Sequence, residues 1–341
     1  MPDDGPATSI DADAVFQGGG VKGIALAGAL LGFAHHRGLS VKRWVNVAGT
    51  SAGSIIAAYL ATGHGPEELE KVISSAPYER FEDFGPGGKW LGGALNLASH
   101  HGLARGEYFH RWFDELIDGR TFESVRRDDA TAAGDDDDPY RLRMIAADVT
   151  RRQLLVLPSD LRSYRLPGTD EPIDPDRLKI ADGVRMSMSI PFFFQPVLLV
   201  HHETGKESTI VDGGLVSNFP VWLFDVRHRK PARPTFGLRL HGGREGKPPN
   251  RFLETFDWPV RFGSDLFHTA MDAWDERFMS HSTTVRTCGV PAGDVGTTEF
   301  DLNDERKRLL VEGGRRAAEQ FLDKFDPDEY RNTYGRQLEV P

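Results

Sequence analysis

The sequence predicts an α/β fold with parallel strands, on three observations. A short apolar strand, Ala14-Val15-Phe16-Gln17, leads through the glycine-rich turn Gly18-Gly19-Gly20-Val21-Lys22-Gly23 into a helical stretch from Ile24 to His36. A second apolar strand, Val41 to Ala48, follows, so strand, helix and strand fill ~35 residues, the size of one βαβ unit with a right-handed crossover. That second strand runs directly into Gly49-Thr50-Ser51-Ala52-Gly53 and a further helix to about Ala61, giving strand, sharp turn and helix with a serine at the apex.

The remaining elements follow in order. Residues 1–12 read as a loose tail. The small residues Ala25, Ala27, Gly28 and Ala29 of the first helix predict close packing against a sheet. Pro66 opens a helix to about Ser75. Residues 76–104 are irregular, with six glycines among Phe81, Phe84, Trp90 and Leu91. The helix Glu107 to Ile117 places Phe109, Trp112, Phe113 and Leu116 on one face. Arg126 to Pro139, with Asp135-Asp136-Asp137-Asp138, reads as a solvated loop rather than a metal site. Leu142 to Asp148 and Gln153 to Leu157 alternate as a strand pair. A helix from Asp176 to Met188, strands at Pro196–Val200, Ser208–Val211 and Phe236–Leu240, and a mostly helical remainder from Phe252 with a strand near Thr284–Thr287 complete the pattern. The expected organisation is a catalytic domain over 13–230, with 231–341 as an extension packed on the same domain.

Composition narrows the function. At 39% hydrophobic and 27% charged over 341 residues, the chain has ample material for a core. A net charge of −10 argues against nucleic acid as a partner and against wholesale adhesion to anionic lipid. The single cysteine, Cys288, allows no intramolecular disulfide and points to a reducing, cytoplasmic compartment. The polar, acidic stretch Met1 to Asp13 has no apolar core of a secretory signal, and no apolar run is long enough to span a bilayer.

Two glycine motifs carry the chemistry. G-x-S-x-G between strand and helix is a nucleophile elbow, in which a β-carbon at Gly49 or Gly53 would clash with the neighbouring elements. The helix that starts at this turn places free N–H groups and its positive dipole end beside the Ser51 oxygen. Gly18-x-Gly20-x-x-Gly23 fits a dinucleotide fingerprint, but that reading needs a carboxylate at the end of the second strand, where Asn46-Val47-Ala48 stands instead. The other reading is an oxyanion hole, with N–H groups of Gly18, Gly19 and Gly20, and of Ala52, holding the negative oxygen of a tetrahedral intermediate. Lys22 and Gly23 would support that loop. None of the twelve histidines has a context that marks it as a base. Asp212 does: Ile210-Val211-Asp212-Gly213-Gly214 runs a strand into a double-glycine turn, where a carboxylate can either cap the turn or accept a proton from serine.

Taken together, the Gly18–Gly23 loop, the Gly49–Gly53 elbow, Asp212-Gly213-Gly214, and the stretch Ser187-Met188-Ser189-Ile190-Pro191-Phe192-Phe193-Phe194 resemble the patatin-like phospholipase family over about residues 14–225. The resemblance implies a three-layer α/β/α sandwich with a mostly parallel central sheet. It implies a Ser51–Asp212 dyad without histidine, and hydrolysis of acyl esters of glycerolipids, with no cofactor or metal. Expected partners are a phospholipid or other acyl-ester lipid and, transiently, a membrane surface. A homo-oligomer stays open. Residues 76–104 are the expected lid, and Phe81–Leu97 with Pro191–Phe194 the expected acyl contacts. The competing reading is a Rossmann-type nucleotide-binding protein using the first glycine loop.

Overall fold

The computed structural model describes residues 8–81, 83, 102–127, 138–225, 231–242, 266–267, 269–271, 284–296, 299 and 302–337. Its centre is a sheet of nine strands. In chain order these are β1 (Thr8–Phe16), β2 (Leu39–Thr50), β4 (Leu142–Asp148), β5 (Gln153–Leu157), β6 (Tyr164–Arg165), β8 (Val197–His201), β9 (Glu207–Asp212), β10 (Thr235–His241) and β11 (Thr287–Pro291). A separate parallel pair joins β3 (Gly102–Ala104) to β7 (Phe192–Phe194). The helices are α1 (Gly23–His35), α2 (Ala52–Ala61), α3 (Pro66–Ser75), α4 (Glu107–Leu116), α5 (Ile180–Ser187), α6 (Asp304–Leu322) and α7 (Pro327–Gln337).

The sheet order is β11-β10-β1-β2-β4-β9-β8-β6. From β11 to β4 all pairings are parallel, as the βαβ pattern predicts, whereas β9, β8 and β6 pair antiparallel and β5 forms an antiparallel hairpin with β4. β1 begins at Thr8, inside the segment expected to be loose, because residues 8–10 find backbone partners on β2 at residues 39–41. β10 and β11 extend the same sheet beyond β1. α5 begins at Ile180 rather than Asp176. The preceding residues are held in turns by side-chain bonds, Asp176 accepting from Tyr140 Oη at 2.7 Å and from Arg126.

Alternation along the strands divides the core. Ala14, Phe16, Val47, Met144, Phe236 and Leu238 face the helices in one large apolar cluster. On the opposite face Val15, Ala48 and Ile145 are covered by Phe219, Val221, Leu223 and Phe224 from the segment after β9. Gly28 of α1 approaches a helix rather than the sheet. A β-carbon on Gly28 would lie 2.0 Å from the Val311 carbonyl oxygen, and one on Gly314 2.0 Å from that of Ala25. Glycine thus brings α1 and α6 into backbone contact, and the C-terminal helix is seated on the first helix. Phe33, Trp44, Phe236, Phe321 and Phe325 close the same region with ring centroids 4.9 to 6.4 Å apart.

Candidate active site

The register of β4 builds the site. Met144 and Ile145 pair with β5 on one edge and with Gly49 and Thr50 of β2 on the other. Ala146, the next residue, still pairs with β5, but its other neighbour is Asp212 of β9. A strand has only two edges, so β2 and β9 share one edge of β4 and meet end to end, β2 parallel to it and β9 antiparallel. Ser51 follows the last residue of β2, and Asp212 is the last residue of β9. Two residues 161 positions apart in sequence therefore face each other across one step of the ladder.

Ser51 takes φ +53° and ψ −126°, a left-handed conformation that a side chain adopts only when its surroundings impose it. The surroundings are specific. The Ser51 N–H donates to Ser187 Oγ at 3.0 Å, and Ser187 Oγ donates to the Ile145 carbonyl at 2.7 Å. The Ser51 carbonyl accepts from Ser54 N and from Ser54 Oγ. Gly49 and Gly53 are required sterically, since a β-carbon on either would stand 2.2 to 2.3 Å from a backbone oxygen. Ser51 is 3% exposed.

Asp212 is 1% exposed. One oxygen, Oδ1, accepts from the Gly214 N–H at 2.7 Å. Burial pushes its pKa up to about 7. The Ser51 hydroxyl and the Gly214 amide pull in the other direction. The other oxygen, Oδ2, makes no hydrogen bond of full geometry. Serine and carboxylate thus adjoin more loosely than an ordinary hydrogen bond, as acid–base pairs in empty active sites often do. A carboxyl with a pKa near neutrality is a much stronger base than an exposed aspartate. Among the described residues no histidine lines the cavity at Ser51 or contributes to the electrostatics of Asp212.

The first glycine loop lies against the elbow: a β-carbon on Gly18 would be 3.1 Å from that of Ser51. Gly18 does not fit its expected part as a donor, because its N–H is already given to the Asn218 carbonyl at 3.1 Å. The amides of Gly19 and Gly20 have no acceptor among the described residues, and that of Ala52, the first residue of α2, has none within its helix. Lys22 N donates to the Gly19 carbonyl at 3.2 Å and closes the turn, and Gly23 begins α1 beside Ala52. At the other motif, a β-carbon on Gly213 would meet the Ile145 carbonyl at 2.2 Å, so glycine alone lets this turn rest on β4.

An apolar cavity opens from Ser51. Gly20, Ile24, Ile56, Ile73, Ala76, Tyr78, Phe81, Phe109, Trp112, Met188, Ile190 and Phe194 are among its walls. Of the residues expected to contact an acyl chain, Phe81 and Phe194 line this cavity while Pro191, Phe192 and Phe193 do not, and Phe81 packs on Phe109 and Trp112 with centroids 5.3 and 5.1 Å apart. Most of the expected lid, residues 82 and 84–101, lies outside the described residues, as do Asp128, Asp129 and Asp135–Asp137. Among the described residues there is no cluster of side chains able to hold a metal and no helix long and apolar enough to cross a membrane.

The family model of the patatin-like phospholipases matches residues 14–225. The chain belongs to the patatin-like phospholipase family. The match begins within β1 and ends after the Asp212 turn, so it contains every element of this site. The family is one of lipid hydrolases, enzymes of the carboxylic ester hydrolase type. The chain is also 37% identical over 322 residues to the uncharacterized protein YqhO of Bacillus subtilis (strain 168), covering 92% of this chain and 98% of that one. It is 21% identical over 313 residues to the uncharacterized protein R571 of Acanthamoeba polyphaga mimivirus. Among solved structures, VipD from Legionella pneumophila superposes with a TM-score of 0.53 at 16% identity, over 94% of this chain and 67% of that one, a likeness of fold.

Three contributors to the site carry no motif of their own in the sequence: Ser187, Thr50, which donates from Oγ1 to the Ser217 carbonyl at 2.9 Å, and Asn218. An asparagine two residues before Pro220, after a Gly-Gly turn, was the available signal for the last.

Proposed function

We propose that the chain hydrolyses carboxylic ester bonds of glycerophospholipids, as a phospholipase A or lysophospholipase, through an acyl-enzyme on Ser51. The observation that carries this reading is the end-to-end meeting of β2 and β9 at the mouth of an apolar cavity. It brings a strained serine against a buried carboxylate whose pKa is about 7. Ser51 Oγ attacks the ester carbonyl carbon as Asp212 takes its proton. The carbonyl electrons move onto oxygen, and the Gly19, Gly20 and Ala52 amides hold that oxyanion, each worth roughly 3–4 kcal/mol. Asp212 returns the proton to the departing alcohol, and the lyso product leaves. It then deprotonates a water that attacks the acyl-enzyme, releasing the fatty acid and restoring Ser51.

The cavity supports an acyl chain over a dinucleotide, because its walls are aliphatic and aromatic and the acid a ribose would need is absent from the end of β2. Substrate arrives from a membrane surface that the protein contacts transiently, from the cytoplasmic side. Residues 13–230 do the chemistry, and β10 and β11 from the following part of the chain extend the same sheet.

The test is lipid mass spectrometry after incubation with mixed phospholipids, together with labelling by a fluorophosphonate. Wild type is expected to release fatty acid and to label at Ser51. Ser51→Ala should do neither while keeping its fold. Near-wild-type turnover by folded Ser51→Ala ends the proposal.

A further inference from the structure

We infer that Asn218 is a positioning residue for the oxyanion loop, holding the peptides on both sides of Gly18 so that the Gly19 N–H is presented to substrate. The inference rests on Ser51 being the nucleophile, and deepens that reading.

Asn218 makes two bonds to one residue. Its main-chain carbonyl accepts the Gly18 N–H at 3.1 Å, and its side-chain Nδ2 donates to the Gly18 carbonyl at 3.3 Å. The second bond reaches the site through the planarity of the peptide. The Gly18 carbonyl and the Gly19 N–H belong to one trans peptide unit, so they point in opposite directions. Anchoring the oxygen on Asn218 therefore aims the N–H away from Asn218. An anchor is needed because three consecutive glycines offer little torsional resistance to a peptide flip, which would exchange the N–H for a carbonyl and turn an oxyanion donor into a repelling acceptor.

The placement of Asn218 is itself tight. It is 4% exposed, and its Oδ1 lies 2.3 Å from where a β-carbon on Gly18 would stand and 3.2 Å from one on Gly214. The segment that carries it also supplies the base, Asp212, and binds the elbow through the bond from Thr50 Oγ1 to the Ser217 carbonyl. Seven consecutive residues, Asp212 to Asn218, thus touch all three parts of the machinery. Gly213 O accepts from both Val216 N and Ser217 N and fixes the turn between them.

The test uses the full chain with a soluble p-nitrophenyl ester and a trifluoromethyl ketone, an inhibitor that forms a tetrahedral oxyanion on serine. Removing one oxyanion donor lowers kcat by about 10²–10³, so loosening one is expected to lower it by roughly 10- to 100-fold in Asn218→Ala. KM should stay within about twofold, and the ketone should lose affinity in parallel with kcat/KM. A packing defect would not produce that parallel. Asn218→Asp keeps the shape but sets an oxygen against the Gly18 carbonyl. Assayed at about pH 9, where Asp212 is ionised, it should lose at least as much and serves if the alanine variant does not fold. Gly18→Ala should also lose activity, and Gly18→Ala/Asn218→Ala should recover part of it by removing the 2.3 Å contact with Asn218 Oδ1, the contacts with Thr50 O and Ser51 Cβ remaining. Unchanged kcat in a folded Asn218 variant, a loss confined to KM, or independent losses in the double variant would overturn the inference. Ser51→Ala is run beside them: if it is inactive while the Asn218 variants turn over normally, this inference falls and the nucleophile stands; if it is active, the functional reading itself falls.

Discussion

Replacing Asp212 by asparagine is expected to end turnover and to make the protein more stable above neutral pH. Burial moves the carboxyl from its ordinary 3.8 to about 7, so the folded state holds a proton that the unfolded chain has lost. With more protons bound in the native state, stability falls as pH rises. The contribution of the bound proton is complete below about pH 4, declines between 4 and 7, and is gone once the folded carboxyl ionises. At 1.36 kcal/mol for each tenfold change in proton affinity, the ionised carboxylate destabilises the fold by at most about 4 kcal/mol. Asparagine keeps an oxygen for the Gly214 N–H and carries no charge, so it escapes this term. Urea unfolding of both proteins between pH 4 and 8 measures it. The two should be nearly equal near pH 4, and the variant should be about 2–4 kcal/mol more stable at pH 8. The same titration sets the acid limb of kcat/KM in wild type, with a midpoint of about 7. A variant less stable than wild type at pH 8, or one that keeps the wild-type pH dependence, would refute the reasoning.

Two further substitutions test strain and the cavity. Ser51→Gly relieves the positive φ and Ser51→Ala does not, so thermal unfolding should find the glycine variant more stable than the alanine variant by about 1 kcal/mol, both being inactive. Ala76→Phe puts a ring into the cavity wall, and each methylene it excludes should forfeit about 0.8 kcal/mol, roughly fourfold in kcat/KM, so a p-nitrophenyl ester series should show the preference moving to shorter chains with the shortest ester least affected.

What the sequence disclosed and what it withheld divide along a physical line. Gly49, Gly53, Gly18 and Gly213 were legible because clustered glycines mark a close approach, although the neighbours that require Gly53, Gly18 and Gly213, namely Phe16, Asn218 and Ile145, lie far along the chain. Asp212 was legible because it stands beside two glycines at a strand end. That β9 abuts β2 on one edge of β4 was not, since it depends on pairings between residues about 65 and 95 positions apart that leave no mark on hydrophobic periodicity. The parallel pairing of β3 with β7 was missed for the same reason: each is three residues long and gains its partner only in the fold. Gly28 looked like a sheet-packing residue and instead admits α6, because smallness in a helix announces close approach without naming the neighbour.

The site combines two features that oppose folding, a serine at φ +53° and a buried carboxyl, and the groups that hold them are polar and come from several segments of the chain. Ser187 accepts from the Ser51 amide, the Ser217 and Asn218 carbonyls accept from the Thr50 hydroxyl and the Gly18 amide, and the Gly214 amide donates to Asp212. None of these bonds touches a reacting atom except the last. Buried donors left without an acceptor are costly, so removal of Ser187 would release the elbow and strand its N–H at once. The reactivity of Ser51 is therefore a property of the meeting of β2 and β9 and of the segments that flank it. The pentapeptide marks the serine, but its turn is held by Ser187 and packed on Phe16, and only the abutting strand end brings the base to it.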